Sequence, residues 1–246
     1  DEGAYETLDY LIEAAERHGI RLNLVLADNW DHNGGIAKYV DWVDSASEHG
    51  DFFVDENVRE LYRWHVEETL TRTNGHTGRE YREEPAIAMW ELCNEPRLEG
   101  DDTTTIDDRA GALESWFEEM AAFVHDLDDN HLVSSGTEGF YTREDRTEWF
   151  YGDWTAQDFV RHHSVDGIDV CSFHMYPHWW NLPLGYCSTW IAEHVRDAHE
   201  RIGKPAYLGE FNVNREEGLE RRNRFLAEWY ETADAYNCDA ASIWQI

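Results

Sequence analysis

The sequence has 246 residues, of which 41% are hydrophobic and 14% aromatic, enough to bury the core of one domain. Its formal net charge is −32, and so acidic a surface would repel nucleic-acid phosphates, which excludes nucleic acid as a partner. The sequence also lacks the run of about eighteen apolar residues that a membrane-spanning helix needs, so no membrane partner is predicted.

Short apolar runs alternate along the chain with segments of helical spacing. Predicted strands cover residues 21–27, 86–94, 132–135, 168–174, 206–209 and 241–245. Predicted helices cover residues 5–18, 58–70, 110–127, 190–202 and 219–235, with a helical turn at 39–43. This alternation predicts parallel βα units.

Such units either close into a (β/α)8 TIM barrel or lie in an open, doubly wound α/β sheet. We favour the barrel, because no glycine-rich nucleotide motif follows a strand and polar residues crowd the strand ends instead of one crevice. A barrel needs eight strands, so the six predicted strands are interpreted as the third to eighth. Residues 1–246 are therefore predicted to be a fragment of a single domain, without the first two strands and the last helix.

Basic and cysteine residues are used sparingly. Lys38 and Lys204 are the only lysines. Of two interpretations, a generally acidic protein and adaptation to high salt, we favour the second, because dense carboxylates hold water and ions while salt screens their repulsion. Of the four cysteines, Cys93 and Cys171 lie in predicted strands and none has metal-ligand spacing, so we predict core residues and no disulfide.

Two predicted strands end in a glutamate. The apolar run 86–92 leads into Asn-Glu-Pro, and strand alternation places Glu91, Cys93 and Glu95 on one face, with Glu95 at the rim. In PAYLGEFN, Glu210 follows Gly209 at the end of another short apolar strand. Because the carboxyl ends of barrel strands meet at one rim, the sequence predicts a pair of carboxylates there.

Other polar and aromatic residues are predicted to share this rim. The set is Trp30, Asn94, Glu95, Arg97, Glu138, His174, Tyr176, Glu210 and Trp244. Two carboxylates with aromatic walls suit the cleavage of a glycosidic bond, because one protonates the departing oxygen while the other attacks the anomeric carbon or activates water. With no HExxH motif and no cofactor fingerprint, we predict neither a metal nor a cofactor.

Some candidates have a purely structural interpretation. Trp90, Trp116 and Trp229 lie on strand or helix faces and are predicted to be core residues. The pair at 162 and 163, His-His, lies at a helix end and is predicted to be solvated. Glu91 points where Glu95 points, one layer deeper, so a buried partner, an arginine, is expected for it.

The motifs WELCNEPR, HMYP, YLGEFN and SIWQ resemble the fourth, sixth, seventh and eighth strand ends of glycoside hydrolase family 5, a family of retaining (β/α)8 enzymes. Within that family, LADNWDHNGGIAKYVDW, FFVDENVRELYRWHVEETLTRTN and HLVSSGTEGFY most resemble endo-β-1,4-mannanases of the fungal and plant type. The resemblance covers residues 5–246 and implies one glycoside hydrolase domain.

The resemblance implies a role for each matching residue around the bond to be cut. Glu95 would be the general acid/base and Glu210 the nucleophile. Asn94 would hold the 2-hydroxyl of the sugar at the cleavage point. Tyr176 would orient the nucleophile, with His174 beside it.

The remaining implied residues bind sugars farther along the cleft. Trp244 would form the platform on the non-reducing side of the cut, and Arg97 would help to bind the sugars beyond the leaving group. Trp30 and Trp180 match tryptophans of the cleft loops. The family also has a rim arginine on the second strand, for which this chain has no counterpart.

A retaining pair requires carboxyl groups about 5 to 5.5 Å apart, and the pKa of the acid is expected to be raised by the charge of the nucleophile. The resemblance implies a secreted, monomeric endo-β-mannanase acting on mannan, glucomannan or galactomannan, and the acidic composition predicts a salt-requiring organism. The alternatives are an endo-β-1,4-glucanase of the same family, an inactive sugar-binding barrel and an acidic structural protein without a site.

Overall fold

A computed structural model of the protein describes residues 2–31, 35–100 and 108–244. Its strands are β1 (Leu22–Val25), β2 (Ile87–Glu91), β3 (Leu132–Ser134), β4 (Cys171–Met175), β5 (Ala206–Phe211) and β6 (Ala240–Ile243). Its helices are α1 (Glu2–His18), α2 (Gly35–Asp41), α3 (Asp51–Val54), α4 (Glu56–Leu70), α5 (Arg109–Leu127), α6 (Phe159–His163), α7 (Cys187–Arg196) and α8 (Leu219–Ala235). The predicted alternation of strands and helices is confirmed, whereas Gln245, at the end of the last predicted strand, lies outside the described residues.

The strands are all parallel and pair in chain order. Main-chain ladders join β1, β2 and β3 into one sheet and β4, β5 and β6 into another. A single parallel bridge, Ser134 to Val170, connects the two sheets, and the backbone amide of Asp169 donates to Val133 O at 2.8 Å. Because the order never reverses, the described strands have no switch point of the doubly wound kind. The sequential arrangement favours the barrel interpretation.

The joint between β3 and β4, called the β3–β4 seam below, depends mainly on side chains. The hydroxyl of Ser172 lies 3.1 Å from that of Ser135 and accepts from the backbone amide of Gly136 at 3.0 Å. His163 Nε2 lies 2.8 Å from the Ser135 hydroxyl and accepts from the Ser172 amide at 3.2 Å. Hydroxyl groups and one imidazole thus replace most of a main-chain ladder here.

Two apolar clusters lie behind the strands. One lies behind β1 to β3 and contains Trp90, Trp116 and Cys93. The other lies behind β4 to β6 and contains Trp229 and Cys171. The three tryptophans are fully buried and the cysteines carry free thiols, so their prediction as core residues is confirmed.

The prediction of solvated histidines at 162 and 163 is wrong, because both rings are fully buried. His162 Nε2 lies 3.1 Å from Ala110 O, and His163 Nδ1 lies 2.8 Å from Phe159 O. Burial lowers the pKa of His162 to about 4 and that of His163 to about 3. Helix α6 is only five residues long and packs close against the β3–β4 seam, so its end is not a solvent-exposed one.

The outer strands β1 and β6 each have one open edge within the described ranges. Val25 of β1 is 50% exposed. Beside β1, a groove of about 890 Å³ is lined mainly by apolar side chains of α1, β1, α2 and α4, including Leu8, Tyr39 and Trp64. Among these described residues, no helix is both long and apolar enough to cross a membrane.

Candidate active site

Polar side chains from successive strands meet at the carboxyl ends of β2 to β6. Glu95 follows β2, Glu138 follows β3, His174 is in β4, Glu210 is in β5 and Trp244 follows β6. Parallel strands in sequential order place these ends on the same rim. The structure therefore brings the two predicted carboxylates together.

His174 lies between the two carboxylates. Its Nδ1 is 2.8 Å from Glu95 Oε1 and 3.8 Å from Glu210 Oε2. One oxygen of each carboxylate and the imidazole nitrogen all lie within 4.8 Å of one another. In the described part of the chain, these three side chains are also the group that could ligate a metal ion.

The pKa values of these groups are strongly interdependent. Burial alone would lower the pKa of His174, but the hydrogen bond and charge of Glu95, with the charge of Glu210, raise it to about 9. Burial alone would raise the pKa of Glu95, but His174 and the indole of Trp30 lower it by hydrogen bonding to the carboxylate. The pKa of Glu210 is raised, chiefly by burial.

The expectation of a raised pKa for Glu95 is therefore wrong, because its pKa is lowered while that of Glu210 is raised. The cause is the imidazolium of His174, which is nearer to Glu95 than to Glu210. The imidazolium of His174 keeps its proton at neutral pH and shares it with Glu95 Oε1 through a hydrogen bond of 2.8 Å.

Glu95 occupies a backbone conformation that residues with side chains seldom adopt, with φ of +50°. Such a conformation costs about 1–3 kcal/mol and persists only when its surroundings fix it. The amide of Glu95 donates to Gly136 O at 2.8 Å, and a Cβ at Gly136 would collide with Cys93 O. This turn ends the strand alternation early, so Cys93 packs in the core and does not share a face with Glu95, contrary to prediction.

Glu91 is almost completely buried, as expected, but its partner is not an arginine. Asn23 of β1 donates through Nδ2 to Glu91 Oε2 at 2.8 Å. Burial raises the pKa of Glu91, because a buried carboxyl group favours its neutral, protonated form. Sequence reasoning missed Asn23, although a polar residue between Leu22 and Leu24 in a strand was the available signal.

Tyr176 and Asn94 both lie at the rim and make hydrogen bonds to carboxylates. The hydroxyl of Tyr176 donates a hydrogen bond to Glu210 Oε2. Asn94 donates through Nδ2 to Asp28 Oδ1 at 3.3 Å, while its own Oδ1 is buried and has no hydrogen-bond partner among the described residues.

Arg97, predicted to help to bind sugars, has a buried side chain whose guanidinium group is hydrogen-bonded to two glutamates. Its side chain is only 10% exposed. Nε and Nη2 donate to the two oxygens of Glu138, at 2.8 and 2.5 Å, and Nη1 donates to Glu99 at 2.9 Å. Burial and the charge of Glu95 raise the pKa of Glu138 to about 7, although Arg97 opposes this. Gln157, which sequence reasoning missed, also donates to Glu138 at 3.0 Å.

The three predicted tryptophans differ in exposure. Trp30 donates through Nε1 to Glu95 Oε2 at 2.7 Å, and the guanidinium of Arg97 lies 5.0 Å from its ring centroid. Trp244 is 45% exposed at the end of β6 and can offer a ring face to a ligand. Trp180 is only 6% exposed and packs on Phe140, so little of its ring is open to the cleft.

Residues 1–240 match the family model described as GH family 5 beta-mannosidase-like. The chain is 34% identical over its whole length to mannan endo-1,4-beta-mannosidase 8 of rice, Oryza sativa subsp. japonica, and covers 71% of it. It aligns with the hyperthermostable endo-1,4-β-D-mannanase of Thermotoga petrophila at a TM-score of 0.90 and 33% identity, over 98% of this chain and 68% of that one.

The endo-1,4-β-mannanase of Rhizomucor miehei aligns at a TM-score of 0.89 and 28% identity, over 97% of this chain and 66% of that chain. The chain thus spans about two thirds of the length of these proteins. An α/β barrel that is incomplete in this chain is consistent with that coverage.

Proposed function

The chain belongs to the β-mannosidase-like group of glycoside hydrolase family 5 and is a glycosidase of the mannan endo-1,4-β-mannosidase class, and from this premise we propose its reaction and the role of each residue. It hydrolyses internal β-1,4-mannosidic bonds of mannan, glucomannan or galactomannan with retention of configuration. The observation that carries this proposal is the convergence of Glu95, His174 and Glu210, since one oxygen of each carboxylate and the imidazole nitrogen all lie within 4.8 Å of one another. Carboxylates this close together support a retaining pair, whose carboxyl groups lie about 5 to 5.5 Å apart.

In the first step, a Glu210 oxygen attacks the anomeric carbon as the bond to the leaving oxygen breaks. The departing oxygen takes the proton shared by His174 Nδ1 and Glu95, which lie 2.8 Å apart. The hydrogen bond from Tyr176 fixes the orientation of Glu210. The products are a covalent glycosyl-enzyme and a shortened chain with a free hydroxyl.

In the second step, a water molecule attacks the same anomeric carbon from the face opposite to Glu210. Glu95, with His174 behind it, takes a proton from this water, and the bond to Glu210 breaks. Two inversions give net retention, and the shared proton is restored. Asn94 holds the 2-hydroxyl of the sugar in both steps, as the resemblance to the family implies.

The size of the substrate and the surface of the protein suggest where the enzyme works. A polysaccharide too large to enter a cell must be cut outside it, so we propose that the protein is secreted. The net charge of −32 fits a medium of high salt, where the repulsion among exposed carboxylates is screened. In dilute buffer, lower thermal stability and lower activity are expected.

The test is release of reducing sugars by the full-length protein from glucomannan, galactomannan and carboxymethylcellulose in molar salt. Activity on the two mannans and none on the cellulose derivative is expected, and replacing Glu210 by Gln abolishes it. Proton NMR of the first product fixes the stereochemistry, for which the β-anomer is expected. An initial α-anomer, or cleavage of carboxymethylcellulose alone, would overturn the proposal.

A further inference from the structure

The rim loop, residues 152–157, is fastened to the chain segment that follows Glu95. Leu98 donates its amide to Thr155 O at 3.1 Å, and Gly100 donates its amide to Trp154 O at 3.2 Å. The guanidinium of Arg109 donates to Trp154 O at 2.8 Å as well. Ala156 is held at φ of +62°, a conformation that a loose loop would not retain. The backbone of Trp154 is therefore fixed in place.

In contrast to its backbone, the side chain of Trp154 is 43% exposed. The guanidinium of Arg97 lies 6.0 Å from its ring centroid. The ring of Trp149 lies nearly perpendicular to it, with centroids 6.5 Å apart and planes at 81°. A large apolar ring on a rigid backbone loses little entropy on binding, so it is suited to stack on a ligand with an apolar face.

Contacts locate Trp154 on the Glu95 side of the cleft. Trp30 donates to Glu95, and the guanidinium of Arg97 lies near the rings of Trp30, Phe140 and Trp154, at 5.0, 5.5 and 6.0 Å from their centroids. Glu95 is the group that protonates the departing chain in the proposed mechanism. Trp154 is thus displaced from the reacting atoms in the direction of the leaving group.

We propose that Trp154 is a stacking platform for a β-1,4-linked hexose unit of the departing chain, beyond the sugar that lies next to Glu95. This inference rests on the proposed function. Arg97, whose charge is already satisfied by Glu138 and Glu99, acts as the support between Trp30 and Trp154. The site then extends past the cleavage point without any additional charged contact.

Kinetics of the full-length protein on two substrates test the platform. Mannohexaose extends past the leaving sugar, whereas nitrophenyl β-mannobioside carries only an aryl leaving group. Trp154→Ala is expected to reduce kcat/KM on mannohexaose roughly tenfold, mainly through KM, with little change on the aryl substrate. Trp154→Phe, which keeps a ring, should recover most of the loss. Tyr10→Ala removes an exposed aromatic ring of α1, 55% exposed, that does not line the groove beside β1, and should leave both substrates unaffected.

Two kinetic outcomes would overturn the platform: unchanged kinetics of Trp154→Ala on mannohexaose, or equal losses on both substrates, which would indicate a merely structural role. Calorimetric binding of mannohexaose to Glu210→Gln, with and without Trp154→Ala, separates this inference from the reaction. Weaker binding of the double variant supports the platform even if the protein hydrolyses no mannan, whereas equal binding overturns it.

Discussion

Glu95 and Glu210 both stand at the end of an apolar strand, yet the two sides of the cleft hold them differently. Glu95 lies in a left-handed turn and accepts hydrogen bonds on both oxygens, from His174 and Trp30. Glu210 continues β5 and accepts one from Tyr176. The pKa of the first is lowered and that of the second is raised. Two chemically identical side chains are thus made unequal by their neighbours.

The largest expected effect comes from removing each carboxylate in turn. Glu210→Ala should lose activity on the order of 10⁴-fold or more, and Glu95→Ala about 10² to 10⁴-fold on mannan but much less on an activated aryl mannoside. Added azide should react in both variants, because it is small enough to fill either space. Mass spectrometry and NMR of the product report the outcome.

The configuration of the azide product distinguishes the two roles. Azide that replaces Glu210 attacks once and gives the α-mannosyl azide, whereas azide that attacks the glycosyl-enzyme of Glu95→Ala gives the β-product. The same configuration from both variants would contradict the assigned roles.

A smaller effect on activity is expected from replacing His174, whose imidazole lies between Glu95 and Glu210. With its pKa at about 9, the imidazole keeps the shared proton up to that pH, so activity should fall as the pH rises through about 9. In His174→Asn the proton resides on a carboxyl alone. We expect the basic limb of kcat/KM to move to lower pH by a unit or more.

The matched control is His125→Asn, which removes a half-buried imidazole of α5 far from the rim. Its pH profile should be that of the unmodified protein. A His174→Asn profile with an unmoved basic limb would mean that the shared proton does not come from the imidazole.

The smallest effects should follow from removing one hydrogen-bond donor on each side. Tyr176→Phe withdraws the donor to Glu210, so the pKa of Glu210 rises further and the acidic limb moves to higher pH by about half a unit to one unit. Trp30→Phe withdraws the donor to Glu95 and should leave the acidic limb where it is. If the acidic limb moved equally in Tyr176→Phe and Trp30→Phe, the pKa values of Glu210 and Glu95 would not be set independently by these two donors.

Sequence reasoning located the two glutamates because short apolar runs followed by Asn-Glu-Pro or Gly-Glu mark strand ends. It also identified the buried tryptophans, whose spacing follows the helix or strand period. It did not predict the turn at Glu95, since a left-handed φ arises from contacts with Gly136, more than forty positions away in sequence.

The remaining errors have the same origin, because they concern partners supplied by other strands. Glu91 is matched by Asn23 from a neighbouring strand, and His163 is buried by packing against β4. The order of the carboxyl pKa values depends on which glutamate lies nearer to His174. None of these distances is encoded in local periodicity.

Between β3 and β4 the sheet depends on hydroxyl groups and one imidazole where the other strand pairs depend on their backbones. Amide hydrogens along such a joint should exchange with solvent earlier than those within β5, because fewer main-chain bonds must open there. The bond from His174 to Glu95 crosses this joint. The pair that we propose to share the catalytic proton therefore also links the two sheets. Because the pKa of His174 is raised to about 9, its deprotonation above that pH should weaken this link and lower the stability of the fold.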